Sequence, residues 1–189
     1  MAESQNQEPP RTILGIDPGT VVTGWGVVQA TGSSLLHVGH GTINSSNAEP
    51  QAKRLSRIFR DLSKVLREFK PDAVSLEKVF FALNVQSALK LGQARGVALL
   101  AAAEYGIDVH EYSAVEIKSA VVGFGHATKQ QVQMMISSLL RVSGRVPADA
   151  ADALAASICH LNRQVFQSRV AEAMPKKPTP LRPRGTTAR

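Results

Sequence analysis

The sequence predicts an α/β domain in which a mixed five-stranded sheet is flanked by helices. Three short apolar segments separated by turn residues come first, which is typical of antiparallel strands joined by tight turns. After residue 50, stretches with an apolar residue at every third or fourth position alternate with short apolar runs, which indicates helices between further strands. Strands connected through a helix pair in parallel, so the sheet is expected to be mixed. A chain of 189 residues has the length of one domain.

The first three strands are predicted at residues 12–16, 24–28 and 35–38. The first ends at Asp17, directly before a Pro-Gly turn, and a Thr-Gly-Ser turn separates the second from the third. Short connections of this kind predict an antiparallel meander.

A long amphipathic helix is predicted at residues 55–69, because apolar residues recur there at spacings of three and four. Its opposite face carries five basic residues, namely Lys53, Arg57, Arg60, Lys64 and Arg67. This face could contact DNA, although a solvated helix face is the more common meaning of such a pattern.

Strand and helix then alternate along the chain. Residues 72–77 form an apolar run after a proline and are predicted to be a buried strand. The helix predicted at 87–105 is rich in glycine and alanine and ends at Gly106. Its small residues favour either a tight contact within the domain or a helix-to-helix contact in a homodimer. Residues 107–112 are predicted to be the last strand.

Helices close the domain. Thr128 and Gln131 match a capping box at the start of one helix, and Pro147 precedes an alanine-rich helix predicted at 149–164.

The ends of the chain differ in composition from its centre. Residues 163–189 contain seven basic residues and one acid, out of a net charge of +7 for the whole chain. We therefore predict a disordered extension at 1–10, one folded domain at 11–166 and a basic, proline-rich disordered tail at 167–189. The tail is suited to binding a polyanion such as DNA, and a purely solubilising role is an equally good interpretation.

Several classes of protein are disfavoured. The longest apolar run, residues 97–103, is far shorter than the roughly 20 residues of a membrane span. The first residues lack the basic and apolar regions of a secretory signal, and the lone Cys159 permits neither an internal disulfide nor a cysteine-based zinc site. A cytoplasmic protein without a membrane partner is expected.

Four acids stand next to apolar segments that are predicted to be buried, and not on a solvent-exposed face. Asp17 and Glu77 each end an apolar strand, and Asp149 and Asp152 lie three apart on one face of the last helix. Carboxylates at the ends of central strands are costly unless they are paired. Lys78 is the one lysine within a turn of these acids along the chain, and strand alternation sends it to the opposite face, so no cation from the protein is expected beside them. Such a cluster indicates Mg²⁺ or Mn²⁺, two of which can activate a water and stabilise a leaving oxygen in phosphodiester hydrolysis. Taken singly, Asp17 could be a turn residue and Asp149 a helix N-cap.

Long segments of the sequence resemble the RuvC family of Holliday-junction resolvases. These segments are GIDPGTVVTGWGVV, LEKVFFALNVQSALKLGQARGVALLAA, VVGFGHATKQQVQ and ADAADALAASICH, in family order between about Arg11 and His160. The resemblance implies a ribonuclease-H-like fold of the retroviral integrase superfamily and a homodimer. It also implies an endonuclease of homologous recombination and DNA repair, which makes paired symmetric nicks in four-way junctions and leaves 5′-phosphate and 3′-hydroxyl ends.

The resemblance also implies roles for particular residues. The catalytic, metal-binding acids fall on Asp17, Glu77, Asp149 and Asp152, with two Mg²⁺ ions per site for which Mn²⁺ may substitute. The residues that face the junction fall on Phe80, with Phe81 beside it, and on Lys118 and Lys129. An exposed phenylalanine there would stack on an unpaired base, whereas a core position is the alternative. A branch-migration complex of the RuvA and RuvB type is the implied partner.

Three other functions remain open on the residues alone. An ATPase or sugar kinase of the actin type shares an Asp-x-Gly-Thr turn like that at 17–20, but needs two such domains. A ribonuclease of the same fold could act on structured RNA. A catalytically silent junction-binding protein would not be expected to keep all four acids.

Overall fold

The computed structural model describes residues 9–78 and 85–173. These residues form a five-stranded sheet with the strand order β3-β2-β1-β4-β5. The strands are β1 (Arg11–Asp17), β2 (Val22–Thr31), β3 (Ser34–Asn44), β4 (Ala73–Glu77) and β5 (Val109–Tyr112). The helices are α1 (Gln51–Phe69), α2 (Val85–Glu104), α3 (Ala114–Val122), α4 (Lys129–Leu139) and α5 (Ala148–Ala173).

The predicted meander and the mixed sheet are both confirmed. Strands β1, β2 and β3 pair antiparallel in chain order. Strand β4 pairs parallel with β1, and β5 pairs parallel with β4, as helical connections require. The carboxyl ends of β1, β4 and β5 therefore meet at one edge of the sheet, which we call the carboxyl edge.

Helices cover both faces of the sheet and give the domain two apolar layers. One layer packs α3, α4 and α5 against the sheet around Ile13, Leu154 and Ile158. The other packs α1 and α2 around Leu14, Leu62 and a line of buried alanines on α2. The predicted basic face of α1 points away from this core, and three of its residues form ion pairs, Arg57 with Glu49 and both Arg60 and Lys64 with Asp61.

The helices after β5 differ from the prediction in two respects. Helix α3 was not assigned, although Ser113 and Glu116 form a complete capping box at its start. The predicted end of the last helix near Gln164 is wrong, because α5 continues to Ala173. Residues 167–173, which the sequence predicts to be part of the disordered tail, are helical, while residues 1–8 and 174–189 lie outside the described residues. Within the described ranges, none of the helices combines the length and the apolar character that a membrane crossing requires.

Candidate metal centre

Two of the predicted acids lie side by side at the carboxyl edge. Asp17 is the last residue of β1 and Glu77 the last residue of β4. The two strands are parallel neighbours in which Ile16 pairs with Leu76, so the acids follow at the next step of the same register. The parallel pairing alone therefore brings together two residues that are far apart in sequence.

Helix α5 brings the other two acids to the same place. Its first turns contain Asp149 and Asp152, and the helix lies directly on β1 and β2. Glycines on the strands make this approach possible: a Cβ on Gly24 would lie 2.0 Å from the Asp149 carbonyl oxygen, and one on Gly15 would lie 1.8 Å from that of Ala153. The backbone of α5 thus occupies space that any side chain at these positions would fill.

The pKa of Asp17 indicates that the four acids lie close together. Burial, together with the charges of Asp152, Asp149 and Glu77, raises the pKa of Asp17 to about 7. Burial and the charge of Asp152 likewise raise the pKa of Glu77. The four carboxylates therefore form one electrostatic unit, and Asp17 carries the greatest cost of being ionised.

The chain itself supplies a cation to this unit. Lys129, the first residue of α4, places its Nζ 2.7 Å from Oδ2 of Asp152, and this contact raises the pKa of the lysine. The charge of Lys118, on α3, lowers the pKa of Glu77 and so lies near that acid. Our expectation that no lysine stands beside the acids is wrong, because the fold returns α3 and α4 to the carboxyl edge. Thr128 and Gln131 form the predicted capping box that starts α4 at Lys129.

The donor set fits a hard divalent cation. All four side chains offer carboxylate oxygens, which are the ligands that Mg²⁺ and Mn²⁺ prefer. A positive ion would also relieve the repulsion that raises the pKa of Asp17. Within residues 9–78 and 85–173, however, no group of three or more His, Cys, Asp and Glu side chains could hold a metal ion as it stands.

The predicted stacking residues cannot be placed. Phe80 and Phe81 belong to segment 79–84, which lies outside the described residues.

Sequence reasoning missed one functional candidate, Arg54. This arginine lies in the first turns of α1 with only 5% of its surface exposed, and it donates two hydrogen bonds to the carbonyl oxygen of Thr20, just after Asp17. One signal could have revealed it: Arg54 precedes the buried Ile58 by four residues, so it shares the apolar face of the helix.

Comparisons with known proteins agree with the resemblance seen in the sequence. The profile of the family described as "Crossover junction endodeoxyribonuclease RuvC" matches residues 13–160. A protein of that name from Geobacter sulfurreducens is 49% identical over 156 residues, covering 82% of this chain and 95% of the relative. Another, from Geobacter metallireducens, is 51% identical over 150 residues, covering 79% of this chain and 92% of the relative.

Solved structures agree as well. One described as "T. thermophilus RuvC in complex with Holliday junction substrate" is 34% identical, with a TM-score of 0.79, and the match covers 84% of this chain and 97% of that one. The yeast mitochondrial Holliday junction resolvase Ydc2 shares the fold alone, at 12% identity and a TM-score of 0.61 over 89% of this chain and 84% of that one. The predicted ribonuclease-H-like fold class and the predicted nuclease class are confirmed. The chain therefore belongs to the RuvC family of crossover junction endodeoxyribonucleases.

Proposed function

We propose that this protein resolves Holliday junctions by metal-dependent hydrolysis of phosphodiester bonds, in the service of recombination and DNA repair. The observation that carries the proposal is the convergence of four carboxylates from three separate elements at one sheet edge, with the pKa of Asp17 raised to about 7 by burial and by the other three. Buried acids that repel one another are a cost to folding, and a bound cation offsets that cost.

Asp17, Glu77, Asp149 and Asp152 would hold two Mg²⁺ ions, for which Mn²⁺ could substitute. Two such ions supply activation of a water for in-line attack on phosphorus and stabilisation of the leaving oxygen. The products of that reaction carry 5′-phosphate and 3′-hydroxyl ends.

The chain's own residues prepare the site. Asp17 must be ionised to act as a ligand, so its raised pKa makes the site respond to pH near neutrality. Lys129 pairs with Asp152, and with 55% of its side chain exposed it would be free to contact a DNA phosphate when a cation is bound by the acids. Lys118, whose charge lowers the pKa of Glu77, would neutralise a second phosphate oxygen in this scheme.

A homodimer is part of the proposal, and helix α2 offers a face for it. Val85, Leu89 and Leu100 are 75%, 64% and 52% exposed, and they lie on one side of the helix together with Gly92 and Gly96. A Cβ on either glycine would meet nothing within 4 Å. The buried alanines of α2 explain its packing within the domain, and this open face is left for a second copy. Two sites related by a two-fold axis would cut opposed strands of a four-way junction in pairs.

We also propose a branch-migration complex of the RuvA and RuvB type as a further partner of this protein. The proposed location of the protein is the cytoplasm. The partner is inferred from the family and the location from the amino-acid sequence, and both are predictions.

The experiment that tests the function is a nicking assay with Asp17→Asn. The substrate is a labelled immobile four-way junction beside a linear duplex of matched sequence, in EDTA, Mg²⁺ or Mn²⁺. We expect metal-dependent paired nicks on the junction alone, and roughly a thousandfold loss in the variant, since several kcal/mol of charge stabilisation is removed. Junction binding should persist in the variant, because binding depends on phosphate contacts.

Asp61→Asn is the matched control. Asp61 is an acid on α1 that pairs with Lys64 and takes no part in the cluster. This variant should cut at the wild-type rate. Tight junction binding by the wild-type protein without cutting in any metal would contradict the proposed function and favour a silent binder.

A further inference from the structure

Arg54 is a buried cation that forms no ion pair with the acids of the described residues. Its side chain lies on the inner face of α1, and it takes part in none of the ion pairs formed within the described ranges. The first turn of α1 also contains no acidic residue and has no side-chain N-cap. A positive charge near a helix N-terminus opposes the helix dipole, and a buried guanidinium without a carboxylate is costly. An apolar side chain of the same length would fill this place at a lower cost.

The contacts of Arg54 are directed at one peptide group. Its Nε and Nη2 donate to the carbonyl oxygen of Thr20 at 2.9 and 2.7 Å. Thr20 belongs to the short turn at 18–21 that joins Asp17, at the end of β1, to the start of β2. The fork of donors therefore fixes the turn that follows the central acid of the cluster.

Three further hydrogen bonds, from Thr23 and Ser45, hold the same turn. The hydroxyl of Thr23, which is fully buried, donates to the Gly19 carbonyl oxygen at 2.7 Å and accepts from the Gly19 N–H at 3.3 Å. The N–H of Ser45 donates to the Val21 carbonyl oxygen at 2.8 Å. A segment of four residues is thus restrained along most of its length.

The restraint is needed because the carboxylate of Asp17 is close to other negative charges. Three other carboxylates repel it, and a mobile turn would let Asp17 move away from them into solvent. A turn locked from both sides prevents this relaxation and keeps the repelling groups together for a cation.

From this arrangement we infer that Arg54 is a positioning residue for the metal centre, acting through the turn at 18–21 on the Asp17 carboxylate. The inference deepens the proposed function and rests on it. The residue touches neither DNA nor metal in this scheme, so its removal should change the affinity for the ion and leave the affinity for the junction unchanged.

The test compares Arg54→Met, Arg54→Lys and Arg57→Met in the full-length protein. Arg57 is the matched control, since it lies one turn further along α1 and also donates to a backbone carbonyl oxygen, that of Asn44. Binding of Mn²⁺ to the protein alone is measured by titration calorimetry. Junction binding is measured in EDTA, and cutting is measured as a function of Mg²⁺ concentration.

We expect Arg54→Met to raise the dissociation constant for Mn²⁺ and the half-saturating Mg²⁺ concentration by about tenfold or more, as for other residues that orient metal ligands. Arg54→Lys keeps the charge without the fork and should be intermediate. Arg57→Met should match the wild type, and all variants should bind the junction within about twofold of it. A merely structural role would lower thermal stability without moving the metal affinity of the folded protein.

Three results would overturn the inference: unchanged Mn²⁺ affinity in Arg54→Met, an equal loss in Arg57→Met, or a loss of junction binding with intact Mn²⁺ binding. If Arg54→Met does not fold, Thr23→Val tests the same turn from its other side and should weaken Mn²⁺ binding in the same direction. A wild-type protein that binds no Mn²⁺ would instead contradict the proposed function itself.

Discussion

At the scale of single residues, the acid whose pKa is raised most is Asp17, which lies in the candidate metal centre. Asp17 would be ionised throughout the physiological range as an exposed residue, yet burial and three neighbouring acids raise its pKa to about 7. In the folded, metal-free chain it therefore binds a proton that the unfolded chain has already released.

This difference predicts how stability depends on pH without metal. Between about pH 4 and 7 the folded state binds more protons at Asp17 than the unfolded state, so its contribution makes the free energy of unfolding fall as pH rises, by up to about 4 kcal/mol. Urea unfolding in EDTA from pH 4 to 8 measures this fall in the free energy of unfolding. Saturating Mg²⁺ should remove most of the fall, because the ion favours the ionised form.

Asp17→Asn isolates the effect from other titrating groups. His160 is buried with a pKa lowered to about 4, so its contribution has the opposite sign and raises stability from about pH 4 to 6.5. The difference between wild type and Asp17→Asn cancels that term. The variant should therefore be the more stable protein at pH 8 in EDTA, and equal stability of the two at all pH values would contradict the assignment.

At the scale of elements, the contact between α5 and the sheet determines where two of the four acids lie. The contact is made by backbone against backbone: the Gly24 position has no room for a side chain below the Asp149 carbonyl oxygen. The start of α5 can therefore lie this close to the sheet only because Gly15 and Gly24 have no side chains.

Gly24→Ala should displace the start of α5. The added Cβ would lie 2.0 Å from the Asp149 carbonyl oxygen, so the helix must move away from the strand. We expect a loss of about 1–3 kcal/mol in the free energy of unfolding from overpacking, and a weaker affinity for Mn²⁺. Calorimetry and urea unfolding measure the two effects, and an unchanged metal affinity in a destabilised protein would show that α5 can adapt.

The sequence predicted helices and strands correctly where apolar residues recur with a clear helical or strand spacing. The strands that end at Asp17 and Glu77 and the helix that carries Asp149 and Asp152 all form. The Lys129–Asp152 contact could not be predicted, since it depends on α3 and α4 returning to the carboxyl edge. Arg54 was missed for a related reason: its spacing places it in the core, but its partner is a backbone carbonyl that no side-chain pattern reveals.

At the scale of the whole molecule, the proposed homodimer would cover an exposed face of α2. The open side of α2 combines large apolar side chains with two glycines that leave space for another backbone. In a two-fold contact the same residues of the two copies meet, so one substitution acts twice.

Leu89→Glu should therefore separate the proposed homodimer. Two introduced carboxylates would face each other across the axis, and like charges in such a place cost several kcal/mol, or about a hundredfold or more in the dissociation constant. Analytical ultracentrifugation measures the change. Leu36→Glu, at a leucine on β3 that is 59% exposed, is the control and should remain dimeric. A dimer that tolerates Leu89→Glu would place the contact elsewhere.

The distance along the chain between the acids also has a consequence for the protein's synthesis. Asp17 belongs to the first strand, Glu77 to the fourth, and Asp149 and Asp152 to the last helix, so most of the chain separates the first acid from the last. The proposed metal site would be incomplete in a growing polypeptide until α5 has been synthesised and packed against Gly15 and Gly24. Under the proposed function, an unfinished or truncated chain would therefore lack two of its metal ligands and should not cut DNA.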